Sequence, residues 1–267
     1  MAAAASPGSS HPAAAAASSD VPAIQIVGLY KSFNGRAVLK NVNLTVPRGT
    51  TTVILGGSGS GKSVLMKHII SLLKPDRGDV LVDGENIVPL TGPSLDRVRR
   101  KFGMVFQSAA LFDSMTVGDN VAFPLKEHTK LNATERAQKV AEKLTLVGLA
   151  GVEERMPAEL SGGMRKRVGL ARAIVLEPQI VLYDEPTTGL DPITTENVDQ
   201  MILEAKAALG VTSVVISHDI GSAFLVADQI AFLYDGAIVE AGPPAELRKS
   251  REPHVQAFLR TWFEKGG

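Results

Sequence analysis

The stretch Gly56-Gly57-Ser58-Gly59-Ser60-Gly61-Lys62-Ser63 decides how this chain is read. Thr51 to Leu55, an apolar and β-branched run, precede it, and the helix-compatible Val64, Leu65, Met66, Ile69 and Ile70 follow. Strand, glycine loop and helix in that order form a phosphate-binding loop. The glycines let successive backbone N–H groups turn inward onto phosphate oxygens, and the helix N-terminus adds partial positive charge. In such a loop Lys62 reaches the β- and γ-phosphates, and the Ser63 hydroxyl holds Mg²⁺.

Working outward, Ile24 to Leu29 and Ala37 to Val46 read as strands, with the Asn34-Gly35 pair between them as a hairpin signal. Asp79 to Val82 is a short strand ending at Asp83-Gly84, and the apolar run Phe102 to Phe106 stops at Gln107. Ala137, Val140, Ala141, Leu144 and Val147 recur at helical spacing between an Asn132 start signal and a Gly148 stop. Residues 108–176 therefore read as a helical insertion, with a further helix over Arg165 to Leu176. Ile180 to Tyr183 and Val211 to Ile216 are continuous apolar runs, as expected of parallel strands covered on both faces. The fold class is α/β, a mostly parallel core sheet with ligand at the carboxyl ends of its strands.

The 267 residues are 45% apolar, enough for a sizeable core. Twenty-eight basic residues balance twenty-eight acidic ones, so no net field gathers nucleic acid or anionic lipid, and no nucleic-acid partner is expected. The absence of cysteine excludes disulfides, thiolate metal sites and cysteine nucleophiles. No apolar stretch approaches the roughly 20 residues of a membrane span, so a membrane role requires a partner. Residues 1–22 are almost entirely Ala, Ser, Pro and Gly, without the basic start of a signal peptide, and read as a disordered tail.

Asp184 and Glu185 close the strand that begins at Ile180. Asp184 is placed to bind Mg²⁺, directly or through water, and Glu185 to polarise the water that attacks a γ-phosphate. His218 ends the next apolar strand and is placed to hydrogen-bond that phosphate. Leu160-Ser161-Gly162-Gly163-Met164, ahead of a helix, offers a second set of N–H donors. Two phosphate-binding surfaces in one chain make sense as halves of one site completed by a second copy, which implies a homodimer.

These elements, in this order, resemble the nucleotide-binding subunits of ABC transporters over essentially Ile24 to Pro244. The resemblance implies a P-loop NTPase of the ABC ATPase type, with an antiparallel β subdomain and a helical insertion, over residues 23–244. It makes Gly56 to Ser63 the Walker A loop, with Val64 beside it at the nucleotide, and Ile180 to Asp184 the Walker B strand, with Glu185 catalytic. Gln107 becomes the Q-loop glutamine, a catalytic and Mg²⁺ residue. Leu160 to Met164 becomes the signature that meets ATP in trans through Ser161, Gly162 and Gly163. Asp191 falls in the D-loop and His218 is the switch histidine. Phe33 sits where the family stacks an aromatic ring on adenine, with Tyr30 a rival. The signature departs from the common pattern at Met164, where glutamine is usual.

Leu111 to Val117, continuing through Pro124 to Thr129, and Asp191-Pro192-Ile193-Thr194 are similar to the ATPase of the bacterial lipid-asymmetry, MCE-linked phospholipid transporters. That resemblance implies ATP hydrolysis with ATP and Mg²⁺ at the cytoplasmic face of the inner membrane. It also implies an MlaE-like integral-membrane permease, an MCE-domain substrate-binding protein and a small cytoplasmic regulator as partners. The permease contact is expected around Ala109 to Phe123, where Leu111, Phe112, Met115 and Phe123 concentrate apolar area. Residues 245–267 carry Val255, Phe258, Leu259, Trp262 and Phe263 at helical spacing, an amphipathic extension expected to dock on its own domain. The alternatives are an ABC transporter for another substrate, a permease-free ABC protein and a P-loop kinase. A single motif set and about fifty residues between Gln107 and the signature favour transport, and a kinase needs neither the signature nor Glu185.

Overall fold

The computed structural model describes residues 21–263. Most of the expected N-terminal tail, and the last residues of the C-terminal extension, lie outside these. The chain opens with β1 (Ile24–Phe33) and β2 (Arg36–Val46), then β3 (Thr51–Leu55), α1 (Lys62–Ile69), β4 (Arg77–Val82) and β5 (Glu85–Asn86). After α2 (Gly92–Arg99) and β6 (Phe102–Val105) come α3 (Val117–His128), α4 (Ala133–Leu146) and α5 (Gly162–Ile174). The second half runs β7 (Ile180–Asp184), α6 (Pro192–Leu209), β8 (Thr212–Ser217), α7 (Ile220–Val226), β9 (Gln229–Tyr234) and β10 (Ala237–Gly242). Two helices follow, α8 (Pro244–Leu247) and α9 (Pro253–Phe263).

Two sheets result. One is antiparallel, in the order β2-β1-β4-β5, and the other has the order β10-β9-β3-β8-β7-β6. In the second, β9, β3, β8, β7 and β6 pair in parallel and β10 adds antiparallel to β9. The predicted hairpin is present, with Phe33 opposite Arg36 across Asn34-Gly35. Every residue of β3 and β8 is buried, which is why their sequences show no alternation: helices or the other sheet cover both faces.

One core cluster lies between the two sheets and α1, joining Ile26, Leu44, Ile54, Leu65 and Val214. The other lies on the opposite face, where Val53, Val105, Val121, Leu144, Leu170 and Ile202 pack together. α4 carries the capping box that its sequence promised: Asn132 accepts from the Glu135 N–H while Glu135 accepts from the Asn132 N–H. α5 starts three residues earlier than the sequence suggested. Ser161 caps it by accepting from the Met164 N–H at 3.2 Å, and that cap outweighs the poor helix propensity of Gly162 and Gly163.

The C-terminal α9 docks on the chain itself. Val255 and Leu259 are buried in the second cluster, Phe258 meets Phe232 with ring centroids 5.1 Å apart, and Trp262 stacks parallel to Phe224 of α7.

Candidate active site

Parallel pairing fixes where the chemistry falls. Leu55 lies opposite Ser217, Ile216 opposite Asp184, and Tyr183 opposite Val105. The glycine loop, His218, the Asp184-Glu185 pair and Gln107 therefore leave the same edge of the sheet from the neighbouring strands β3, β8, β7 and β6. This is the carboxyl edge at which α/β sheets bind ligands.

The loop that follows β3 needs its glycines for space and for conformation. A Cβ on Gly56 would lie 2.3 Å from the Leu233 carbonyl oxygen and 2.9 Å from Ser60 Oγ. Gly61 caps α1 in the left-handed region, at φ 107°, and no side chain caps this helix. The first N–H groups of α1 thus have no side-chain acceptor, the condition for anion binding. Ser58 and Gly59 are exposed, the Ser63 hydroxyl is exposed in the first turn and Val64 is half-buried beside it. The Ser60 hydroxyl is buried without a hydrogen-bond partner.

Lys62 is folded back into the loop. Its ammonium donates to the carbonyls of Gly56 at 2.9 Å and Gly57 at 3.1 Å, and lies 3.3 Å from Glu185 Oε1. The other Glu185 oxygen accepts from Thr188 Oγ1 at 2.9 Å and meets His218 Nδ1 at 2.6 Å. Glu185 holds this position in left-handed backbone, φ 48°, with its N–H donating to the Ile216 carbonyl at 2.9 Å. Burial alone would raise the Glu185 pKa, but the Thr188 and His218 hydrogen bonds and the Lys62 charge outweigh it and hold the carboxyl below its ordinary value.

Asp184 is the opposite case. Burial, then the neighbouring Glu185 charge, raise its pKa against the weaker pull of Lys67 and Lys62. Its Oδ1 is buried and has no partner. A carboxylate oxygen left unsatisfied beside an anion is what a divalent cation corrects. No group of three or more His, Cys, Asp or Glu gathers as metal ligands among the described residues. The Asp184 carboxylate and the Ser63 hydroxyl are donors of the kind Mg²⁺ takes, since it uses one or two carboxylates and completes its shell with substrate phosphates and water.

The signature residues stand apart from this cluster. Ser161 and Gly162 are exposed, a Cβ on Gly163 would meet nothing within 4 Å, and no hydrogen bond or ion pair among the described residues joins them to the glycine loop. Asp191 caps α6, accepting from the Thr194 N–H at 3.0 Å and its hydroxyl at 2.6 Å. Those bonds lower its pKa. Phe33 and Tyr30 are both exposed. Phe33 stands at the hairpin tip, one pair beyond Ser32–Ala37, and Val38 and Leu39 crowd against Gly61. Gln107 is exposed just past β6.

Two residues on α5 escaped the sequence reading. Lys166, buried, donates to the Pro186 carbonyl next to Glu185. Arg172 donates to the carbonyls of Ala109 and Ala110, each at 2.7 Å, and so clamps the left-handed turn that follows Gln107. α5 thus touches both the loop that carries Glu185 and the turn after Gln107. The available signal was periodicity, since Lys166 lies on the same helical stripe as Gly169, Leu170 and Ile174, all buried.

A cleft of about 540 Å³ opens beside the Arg172 clamp, lined in part by Arg99, Phe106, Phe112, Phe123 and Arg172. Of the four apolar residues expected to form a docking surface, Phe112 and Phe123 line it, with ring centroids 5.0 Å apart. Leu111 packs instead against the second core cluster.

Residues 39–188 match the ABC transporter family. The chain is 47% identical over 224 residues to the intermembrane phospholipid transport system ATP-binding protein MlaF of Escherichia coli K12, covering 84% of this chain and 83% of that protein. It is also 47% identical over 236 residues to the probable ribonucleotide transport ATP-binding protein mkl of Mycobacterium tuberculosis H37Rv, covering 88% of this chain but 66% of the relative's length. A dimeric ATP-binding cassette solved in a post-hydrolysis state with ADP and Pi superposes with a TM-score of 0.74 at 33% identity, over 83% of this chain and 98% of that one. The motif order, the sheet topology and these likenesses agree, and the chain belongs to the ABC transporter family.

Proposed function

We propose that this chain is the ATP-hydrolysing motor of an ABC transporter that moves phospholipid, working as a homodimer coupled to a separate permease. The observation that carries the motor reading is the convergence of Lys62, Glu185 and His218 on one sheet edge beside the glycine loop, with Lys62 and His218 bonded to opposite oxygens of Glu185.

In this arrangement both Glu185 oxygens are occupied, so the carboxylate is held as a resting anion. Triphosphate entering the glycine loop competes for the Lys62 ammonium and draws it from Glu185 and from the Gly56 and Gly57 carbonyls. Freed of that charge, Glu185 becomes the stronger base, oriented by Thr188 and His218 toward an attacking water. Phe33 offers its exposed ring to the adenine, with Tyr30 as the neighbouring choice. Ser63, Asp184 and Gln107 would hold Mg²⁺, which supplies charge neutralisation at the β- and γ-phosphate oxygens.

Ser161 and Gly162, both exposed, and the half-buried Gly163 at the start of α5 serve the nucleotide of a second copy. ATP then joins two chains, and its cleavage removes the differential affinity that favours the closed dimer. Through Lys166 and Arg172, α5 carries that change to the loop after Gln107 and to the cleft bearing Phe112 and Phe123, where we place the permease. No helix among the described residues is long and apolar enough to cross a membrane. The peripheral position on the cytoplasmic face of the inner membrane rests on the proposed coupling to a permease.

The phospholipid cargo, and an MCE-domain partner with a small cytoplasmic regulator, rest on likeness to MlaF. The mycobacterial relative's name favours a second cargo, ribonucleotide. Mass spectrometry of what co-purifies with tagged Glu185→Gln from native membranes, in mild detergent with ATP and Mg²⁺, separates these readings. A multi-span permease, an MCE-type protein and bound phospholipid are expected. A permease without phospholipid overturns the cargo, and no membrane partner overturns the transport role.

A further inference from the structure

Asp199 lies on α6, about two turns beyond the D-loop residue Asp191 that caps this helix. It is 3% exposed. One of its oxygens accepts from Ser222 Oγ at 2.8 Å and the other is buried without a partner. Ser222 sits in the first turn of α7, where its N–H also donates to Asp219 Oδ1 at 3.1 Å. Asp219 caps α7 and directly follows His218.

The charges that act on Asp199 among the described residues are Asp219, from α7, and Glu196, from its own helix. Both are acidic. Burial comes first, and these neighbours add to it, so that the carboxyl is pushed up to about 6 despite the Ser222 bond. A buried carboxylate with no cation is costly to the fold. Groups shifted in this way cluster where they have work to do, and this one bridges the two helices that leave the D-loop and the switch histidine.

We propose that Asp199 is a positioning residue for His218: through Ser222 it ties the D-loop helix to the switch helix, and losing or gaining its proton tightens or loosens that tie. Ionised, the carboxylate accepts the Ser222 hydroxyl in a charge-assisted bond and holds the first turn of α7 to α6. Protonated, it accepts only as a neutral acid, and the turn is held less tightly. His218 moves with that turn, and its reach to Glu185 changes. The inference rests on the ATPase reading of His218 and Glu185, but it has a readout of its own.

That readout is the imidazole of His218 in the full-length chain, followed by NMR between pH 5 and 8 after ¹³C-histidine labelling and assigned with His218→Gln. Asp199→Asn is nearly isosteric and keeps the Ser222 bond. Across this range the His218 resonances of Asp199→Asn should stand apart from the wild-type ones, because the approach of the imidazole to Glu185 changes. Ser222→Ala, which cuts the tie and keeps the carboxyl, should displace them as well. Coincident resonances for the three proteins would overturn the proposal. In ATP hydrolysis the same link should appear as an acid limb of kcat near pH 6 that Asp199→Asn flattens without changing KM, and an unchanged limb counts against it. A wild-type chain that hydrolyses no ATP at any pH would defeat the ATPase reading, while the His218 resonance would still decide this one.

Discussion

Replacing Asp199 with asparagine should stabilise the chain at alkaline pH and leave it unchanged near pH 4. Lifting a carboxyl from 3.8 to about 6 makes its ionisation in the folded state harder by about 3 kcal/mol than in the unfolded chain. The folded state binds this proton more tightly, so the contribution is fully present below pH 3.8 and is lost as pH rises through about 6. Above that, wild type carries the whole penalty and Asp199→Asn carries none. The asparagine oxygen can still accept from Ser222, and its amide replaces the oxygen that has no partner. Guanidinium unfolding of both proteins at pH 4.5, 6 and 8 should give a stability difference that grows by about 2–3 kcal/mol across the series. At pH 8 the Tm of the variant should be about 5–10 °C higher. The comparison is between pH values, so any fixed steric effect of the amide cancels. A difference that stays constant with pH would refute the reasoning, because Asp199 would then not be titrating in this range.

Other outcomes follow from the same geometry. Glu185→Gln should bind ATP with near wild-type affinity and hydrolyse it at least about a hundredfold more slowly, as loss of a catalytic proton acceptor implies; steady-state turnover with a nucleotide-binding assay checks both. Ser161→Arg should abolish hydrolysis while the monomer keeps its ATP affinity, since no hydrogen bond or ion pair among the described residues joins Ser161 to its own glycine loop; a matching loss of monomer binding would contradict a site shared between copies. Gly56→Ala should abolish ATP binding, measured by calorimetry, because the added methyl would lie 2.3 Å from the Leu233 carbonyl oxygen and the loop must move to admit it.

Much of this site was legible because its chemistry sits where apolar runs stop. Thr51 to Leu55, Ile180 to Tyr183 and Val211 to Ile216 announce buried parallel strands, and a residue that ends such a strand is placed at the ligand edge whatever the rest of the fold does. The signature helix was read three residues short because glycine propensity hid a helix that the Ser161 cap begins. Asp199 was invisible for another reason. Nothing in Glu196-Asn197-Val198-Asp199 sets one carboxylate apart from the other, and only the packing of α7 against α6 buries Asp199. Lys62 pairing with Glu185 was equally out of reach, since two residues more than a hundred positions apart meet only through the order of β3, β8 and β7. Of the apolar residues expected around Ala109 to Phe123, Phe112 and Phe123 line a cleft while Leu111 turns inward, a choice set by the neighbouring helices.

The most direct measurement of the central claim, an ATP site completed by a second copy of the chain, is sedimentation velocity of purified Glu185→Gln with and without ATP and Mg²⁺. ATP should convert monomer into dimer, and adding Ser161→Arg to the same chain should return it to monomer with nucleotide still bound. A sedimentation coefficient that ATP leaves unchanged would contradict the account.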